Sequence, residues 1–132
     1  MRVDAGEVPV SFVLELKHHE VAYVGRAVLR NEGDRARITI DGHVPILREK
    51  EFMDPLTAKS PAENLYVAIQ EMYLSGSDDA AGDFFSASRK LLSSLPHAQE
   101  PVSQLTNLVL TQEMSKALKV ARTLIHLEGK SA

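Results

Sequence analysis

The sequence predicts an α+β protein, an N-terminal antiparallel β-meander packed on a C-terminal bundle of about four helices. Two observations lead there. Apolar residues alternate with polar ones up to about residue 50 and then recur at helical spacing from Phe52 onward. In addition, 132 residues suffice for a genuine core, because a chain of this length buries roughly two-thirds of the surface it exposes when unfolded. The reading gives a β-rich region, residues 1–50, and a helical region, residues 51–132, of one cooperative domain.

The first strand is expected where Val10, Phe12, Leu14 and Leu16 alternate with Ser11 and Glu15, the pattern of a half-buried strand. Lys17-His18-His19-Glu20 is a polar turn. Short β-rich runs follow at residues 21–30, 35–40 and 44–48. They are separated by Asn31-Glu32-Gly33-Asp34, read as a hairpin loop, and by Asp41-Gly42, read as another turn.

Ser60-Pro61-Ala62-Glu63 is a capping box with proline at the first helical position, where its missing N–H does no harm. Ala62, Leu65, Tyr66, Ile69, Met72 and Tyr73 then line one face, and Ser75-Gly76 ends the helix. A second helix is expected from about Asp78, with Asp78-Asp79 as its N-terminal cap and Ala81, Phe84, Phe85, Ser88, Leu91, Leu92 and Leu95 on its stripe. Pro96 stops it. A third begins near Glu100-Pro101 and carries Val102, Leu105, Leu108 and Val109. Continuing that stripe turns Gln112, Lys116 and Lys119 inward, so a turn is placed at residues 111–113, with a fourth helix built on Met114, Ala117, Leu118, Ala121, Leu124 and Ile125.

Composition excludes several classes of function. There is no cysteine, hence no disulfide, thiolate zinc site or cysteine nucleophile. No apolar run approaches the ~20 residues of a membrane span, and Met1-Arg2-Val3-Asp4 leads into no signal-peptide pattern, so a cytoplasmic protein is expected. His18-His19 would point to opposite faces of a strand and lack any HExxH spacing; a solvated turn is expected there, and no metal. His43, His97 and His126 stand alone. Neither a Gly-rich phosphate loop nor a nucleophile motif is present, so no catalysis and no cofactor are expected. Phe84-Phe85 and Met72-Tyr73-Leu74 are read as core positions before they are read as a partner groove.

The net charge is −3, which is unusual for a phosphate-gripping domain, so charge must be read locally. Between residues 25 and 50, Arg26, Arg30, Arg35, Arg37, Arg48 and Lys50 stand against Glu32, Asp34, Asp41 and Glu49. If Ala27, Leu29, Ala36, Ile38 and Ile40 face inward, four arginines share the outer face of one hairpin. Arg30 then lies opposite Arg35, a juxtaposition that an anion would relieve. Guanidinium suits phosphate, since its planar fork donates two parallel hydrogen bonds. Residue types alone favour the plainer outcome, a solvated, salt-bridged hairpin. Aromatic side chains for stacking bases are few on the strands, Phe12 and Tyr23 being the candidates.

A resemblance shifts that balance. The string Val44-Pro45-Ile46-Leu47-Arg48-Glu49-Lys50-Glu51, with Ser60-Pro61-Ala62, Val67-Ala68-Ile69-Gln70-Glu71-Met72-Tyr73-Leu74 and the fainter stretch at residues 116–125, resembles the FlbT family of alphaproteobacterial flagellar biosynthesis repressors. The resemblance implies a cytoplasmic post-transcriptional regulator that associates with the 5′ untranslated leader of flagellin mRNA and lowers its stability or translation. Arg26, Arg30, Arg35, Arg37, Arg48 and Lys50 are then the candidate RNA contacts. Arg37-Ile38-Thr39-Ile40, followed by a proline and Leu47-Arg48-Glu49, is similar more faintly to the end of the carbon-storage regulator CsrA, which singles out Arg48 and implies a homodimer. The alternative is a protein-binding adaptor whose helices dock flagellin or the regulator FlaF and affect the mRNA indirectly.

Overall fold

The computed structural model describes residues 11–131; Val10, expected to open the first strand, lies outside them. The chain divides into two compact units, Met1–Glu51 and Phe52–Ala132. The described part of the first is all strand and turn, and the second holds four α-helices, so the class is α+β with antiparallel strands first.

Five strands build the first unit: β1 (Ser11–Leu16), β2 (Val21–Val24), β3 (Ala27–Arg30), β4 (Ala36–Asp41) and β5 (Ile46–Arg48). Their pairing refines the expected meander into two small sheets, β1-β4 and β3-β2-β5, all antiparallel. In β1, Leu14 and Leu16 are buried and Phe12 half-buried, whereas Ser11, Val13 and Glu15 face solvent. The exposed side chains meet complementary partners across the register: Ser11 donates to the Asp41 carboxylate at 2.6 Å, and Glu15 lies opposite Arg37. A slip of one residue would invert both faces, so this pairing pins the register. Leu14, Leu16 and Ala22 form the buried centre, with Phe12, Leu29, Ile38 and Ile40 packed around it, and strands of both sheets therefore share one small core.

The run at residues 21–30 is not continuous. Gly25-Arg26 forms a two-residue turn between β2 and β3, with Gly25 in the left-handed region at φ 58 as the first turn residue. Conversely, residues 31–34 do not close a hairpin, because β3 pairs with β2 and β4 with β1. Asn31 organises the crossover. Its side-chain amide donates to the carbonyls of Leu16 (3.0 Å), Lys17 (3.1 Å) and Asp34, and its backbone exchanges hydrogen bonds with residues 19 and 20.

The second unit contains α1 (Pro61–Ser75), α2 (Ala81–Ser94), α3 (Gln99–Leu110) and α4 (Met114–Ser131). The capping box forms as expected: Glu63 N donates to Ser60 Oγ, and the Glu63 carboxylate accepts from Ser60 N, each at 3.1 Å. Gly76, in the left-handed region at φ 69, ends α1 by donating to the Met72 carbonyl. Asp78-Asp79 does not cap α2, contrary to the sequence reading. The Asp78 carbonyl instead accepts from Ala81 N in a preceding turn, and the cap position falls to Ala80, which makes no side-chain cap bond. A short 3-10 segment, Pro96–Ala98, joins α2 to α3, and a turn at residues 111–113 joins α3 to α4, where the slip in the apolar stripe places it. Helix α1 packs on α2 and α4, and α3 packs on α4. Leu65, Ile69, Phe84, Leu91, Leu105 and Leu124 are fully buried, while Phe85 stays 43 % exposed. Among the described residues no helix is long and apolar enough to cross a membrane.

Candidate nucleic-acid interface

The signature string at residues 44–51 separates into packing, bracing and free positions. Leu47 belongs to the core at 4 % exposure. Arg48, opposite Ala22 on β5, lies over the Phe12 ring, its guanidinium carbon 5.4 Å from the centroid, an arrangement that favours a cation. The two glutamates are occupied by the backbone. Glu49 accepts from Val21 N at 2.9 Å, and Glu51 accepts from Arg48 N at 2.8 Å. Each carboxylate therefore fixes an end of the β2-β5 pair, and Lys50, in the single 3-10 turn Glu49–Glu51, is left exposed between them.

The six candidate cations do not share one face. Arg26 sits in the tight turn at the far end of β2-β3. Arg30 ends β3 opposite Val21, not opposite Arg35, and its Nε lies 3.7 Å from Glu32 Oε1. Arg37 faces Glu15 with 3.9 Å between Nη1 and Oε1. Arg30 and Arg35 are not cross-strand partners for this reason, Arg30 ending β3 in one sheet and Arg35 preceding β4 in the other.

Arg35, Arg48 and Lys50 do come together. With Glu15, Leu16, Lys17 and Glu20 they line one open recess of about 290 Å³ in the strand unit. Lys17 is the contributor that sequence reasoning missed, having been counted with the polar turn. The only signal for it was the length match that lets β1 pair with β4 and brings residues 17 and 35 to the same end of the sheet. Asn31 holds that end together through its bonds to residues 16, 17 and 34.

Electrostatically the recess is unbalanced. Its four cationic side chains face two carboxylates, and both carboxylates are engaged elsewhere, Glu15 by Arg37 and Glu20 by the backbone N–H of Lys17 at 2.8 Å. Lys17, Arg35, Arg48 and Lys50 make no ion pair with any described residue. The arrangement attracts anions; among the described residues no group of histidine or acidic side chains is arranged to hold a metal. His18 and His19 occupy the exposed turn, His18 bonded through Nδ1 to the Gly33 carbonyl and His19 in the left-handed region at φ 65.

Comparison with known proteins adds the following. Residues 12–131 match the family model described as flagellar protein FlbT. The chain is 40% identical over 119 residues to the probable flagellum biosynthesis repressor protein FlbT 1 of Bradyrhizobium diazoefficiens, covering 89% of this chain and 82% of that one. It is 34% identical to the probable flagellum biosynthesis repressor of Rhodopseudomonas palustris, covering 87% and 92%, and 27% identical to the flagellum biosynthesis repressor of Caulobacter vibrioides, covering 89% and 86%. No solved structure matches.

Proposed function

This chain belongs to the FlbT family, and we propose that it is a non-enzymatic repressor of flagellum biosynthesis that binds the 5′ untranslated leader of flagellin mRNA in the cytoplasm and promotes its degradation or blocks its translation. The repressor role rests on the names its relatives carry. Direct contact with RNA rests on one observation, the recess in which Lys17, Arg35, Arg48 and Lys50 converge with no ion pair to any described residue. Phosphate is the anion that such a set recognises, arginine through its bidentate fork and lysine as a point charge. Arg30, beside Glu32, and Arg37, paired with Glu15, contribute less, and Arg26, in the turn at the far end of β2-β3, least.

The test is binding of the purified chain to a labelled flagellin leader beside an unrelated RNA, with Arg35→Glu as the control. Preferential binding lost on charge reversal supports the reading. A chain that ignores the leader acts through a protein instead, the second reading, in which the helical unit docks flagellin or FlaF.

A further inference from the structure

We propose that the recess of the strand unit is a seat for a phosphate monoester, either the 5′-terminal phosphate of an RNA or a free nucleoside monophosphate, and not a track for internal phosphodiesters. The nucleic-acid source of that phosphate rests on the RNA-binding reading above; the seat itself does not. Charge decides between the two kinds of phosphate. Lys17, Arg35, Arg48 and Lys50 against Glu15 and Glu20 leave a net charge of +2. A monoester near neutral pH carries close to −2, whereas each internal phosphodiester carries −1. A backbone passing through would also carry further phosphates past Glu15 and Glu20, and two carboxylates on the lining repel such a strand while tolerating one terminal group seated among the cations.

The seat is preorganised. Arg48 is held on the Phe12 ring and its backbone N–H is fixed by the Glu51 carboxylate. Glu49 anchors the turn that carries Lys50 to the start of β2. Asn31 ties the ends of β1 and β4 that carry Lys17 and Arg35. Glu15 is paired with Arg37 and Glu20 is held by the backbone N–H of Lys17, so neither is ion-paired to a recess cation and the net charge of +2 faces an incoming group.

The experiment uses the full chain in two arms. Fluorescence anisotropy compares 3′-labelled leader RNA bearing a 5′-monophosphate with the same RNA bearing a 5′-hydroxyl, and calorimetry compares adenosine monophosphate with adenosine. The expected result is that the 5′-phosphorylated RNA binds roughly tenfold tighter, that adenosine monophosphate binds where adenosine does not, and that both differences vanish in the Arg35→Gln/Lys50→Gln double variant but persist in Arg26→Gln. Both replaced side chains are solvent-exposed, and circular dichroism verifies the variant's fold. Adenosine monophosphate binding without RNA binding keeps the seat, assigns it to a free nucleotide and removes the RNA reading. Equal affinity for the two RNAs, with no binding of adenosine monophosphate, overturns the seat and leaves RNA binding standing. No binding of any probe overturns both.

Discussion

The fully buried side-chain amide of Gln70 on α1 is bonded twice to Met53: Nε2 donates to the Met53 carbonyl and Oε1 accepts from the Met53 N–H, each at 2.8 Å. A helix side chain thereby replaces the strand or turn partner that this segment lacks. The glutamine of the string Gln70-Glu71-Met72-Tyr73-Leu74 is thus explained by folding within the helical unit. Gln70→Leu takes the partner from the part-buried Met53 N–H and C=O and is expected to cost about 1–3 kcal/mol. Urea unfolding checks this, and a loss below about 0.5 kcal/mol, the range of ordinary surface substitutions, would mean that the pair is not structural.

Arg35 and Arg37, two residues apart, are expected to behave differently. Reversing Arg35 places a carboxylate among the recess cations and should weaken RNA binding by roughly tenfold or more with little effect on stability. Reversing Arg37 sets two carboxylates opposite each other across β1-β4 and should cost about 0.2–1 kcal/mol of stability, with a smaller effect on RNA. Parallel anisotropy and thermal melts on the two variants separate the cases; the opposite ranking would move the contact surface away from the recess.

Asn31 does not itself line the recess, yet its bonds to the carbonyls of Leu16, Lys17 and Asp34 set where Lys17 and Arg35 stand. Asn31→Ala removes the hydrogen bonds to the carbonyls of Leu16, Lys17 and Asp34 and is expected to destabilise the chain by about 1–3 kcal/mol and to lower RNA affinity several-fold. The affinity loss should grow with temperature as the loops at residues 17–20 and 31–34 separate. Unchanged affinity at all temperatures would show that the recess does not need its brace.

Glu63 supplies the pH dependence. Hydrogen bonds donated by the backbone of Ser60, and then of Lys59, hold its carboxyl below the usual glutamate range. A carboxylate whose folded pKa is depressed stabilises fully above its unfolded value, about 4.3, and that contribution is lost as the pH falls through the lower, folded value. Melting temperature should therefore drop more steeply below pH 4.3 in the parent chain than in Glu63→Gln, the two curves converging at the acid end. Parallel curves across that range would exclude the capping box as the source.

The helical unit was legible because its signals are local. Ser60 and Glu63 sit three residues apart, Gly76 marks the end of α1, and the slip between the stripes of α3 and α4 lies within a few residues of the turn it predicts. The cap of α2 was misread because Asp78 has the right residue type but commits its backbone carbonyl to a turn first. In the strand unit the apolar alternation located the strands, but pairing is a non-local property. Nothing near Arg30 or Arg35 says that β3 pairs with β2 and β4 with β1, so local pattern alone suggests a hairpin through both, which the structure does not form, and gives no sign that Lys17 joins the cation cluster. The Gly25-Arg26 turn was obscured by apolar residues on both sides, although glycine within a strand pattern was a sign of it.

The central claim is that four cations of the strand unit contact RNA phosphate, and the salt dependence of leader binding tests it most directly. Neutralising one terminal monoester, about two charges at about −0.7 each for a single strand, gives a slope of about −1.4 in log K against log salt, so affinity should fall roughly sevenfold between 50 and 200 mM salt, and Arg35→Glu should flatten that slope. Absence of leader binding at low salt, or a complex whose affinity does not change over that range, would contradict the account.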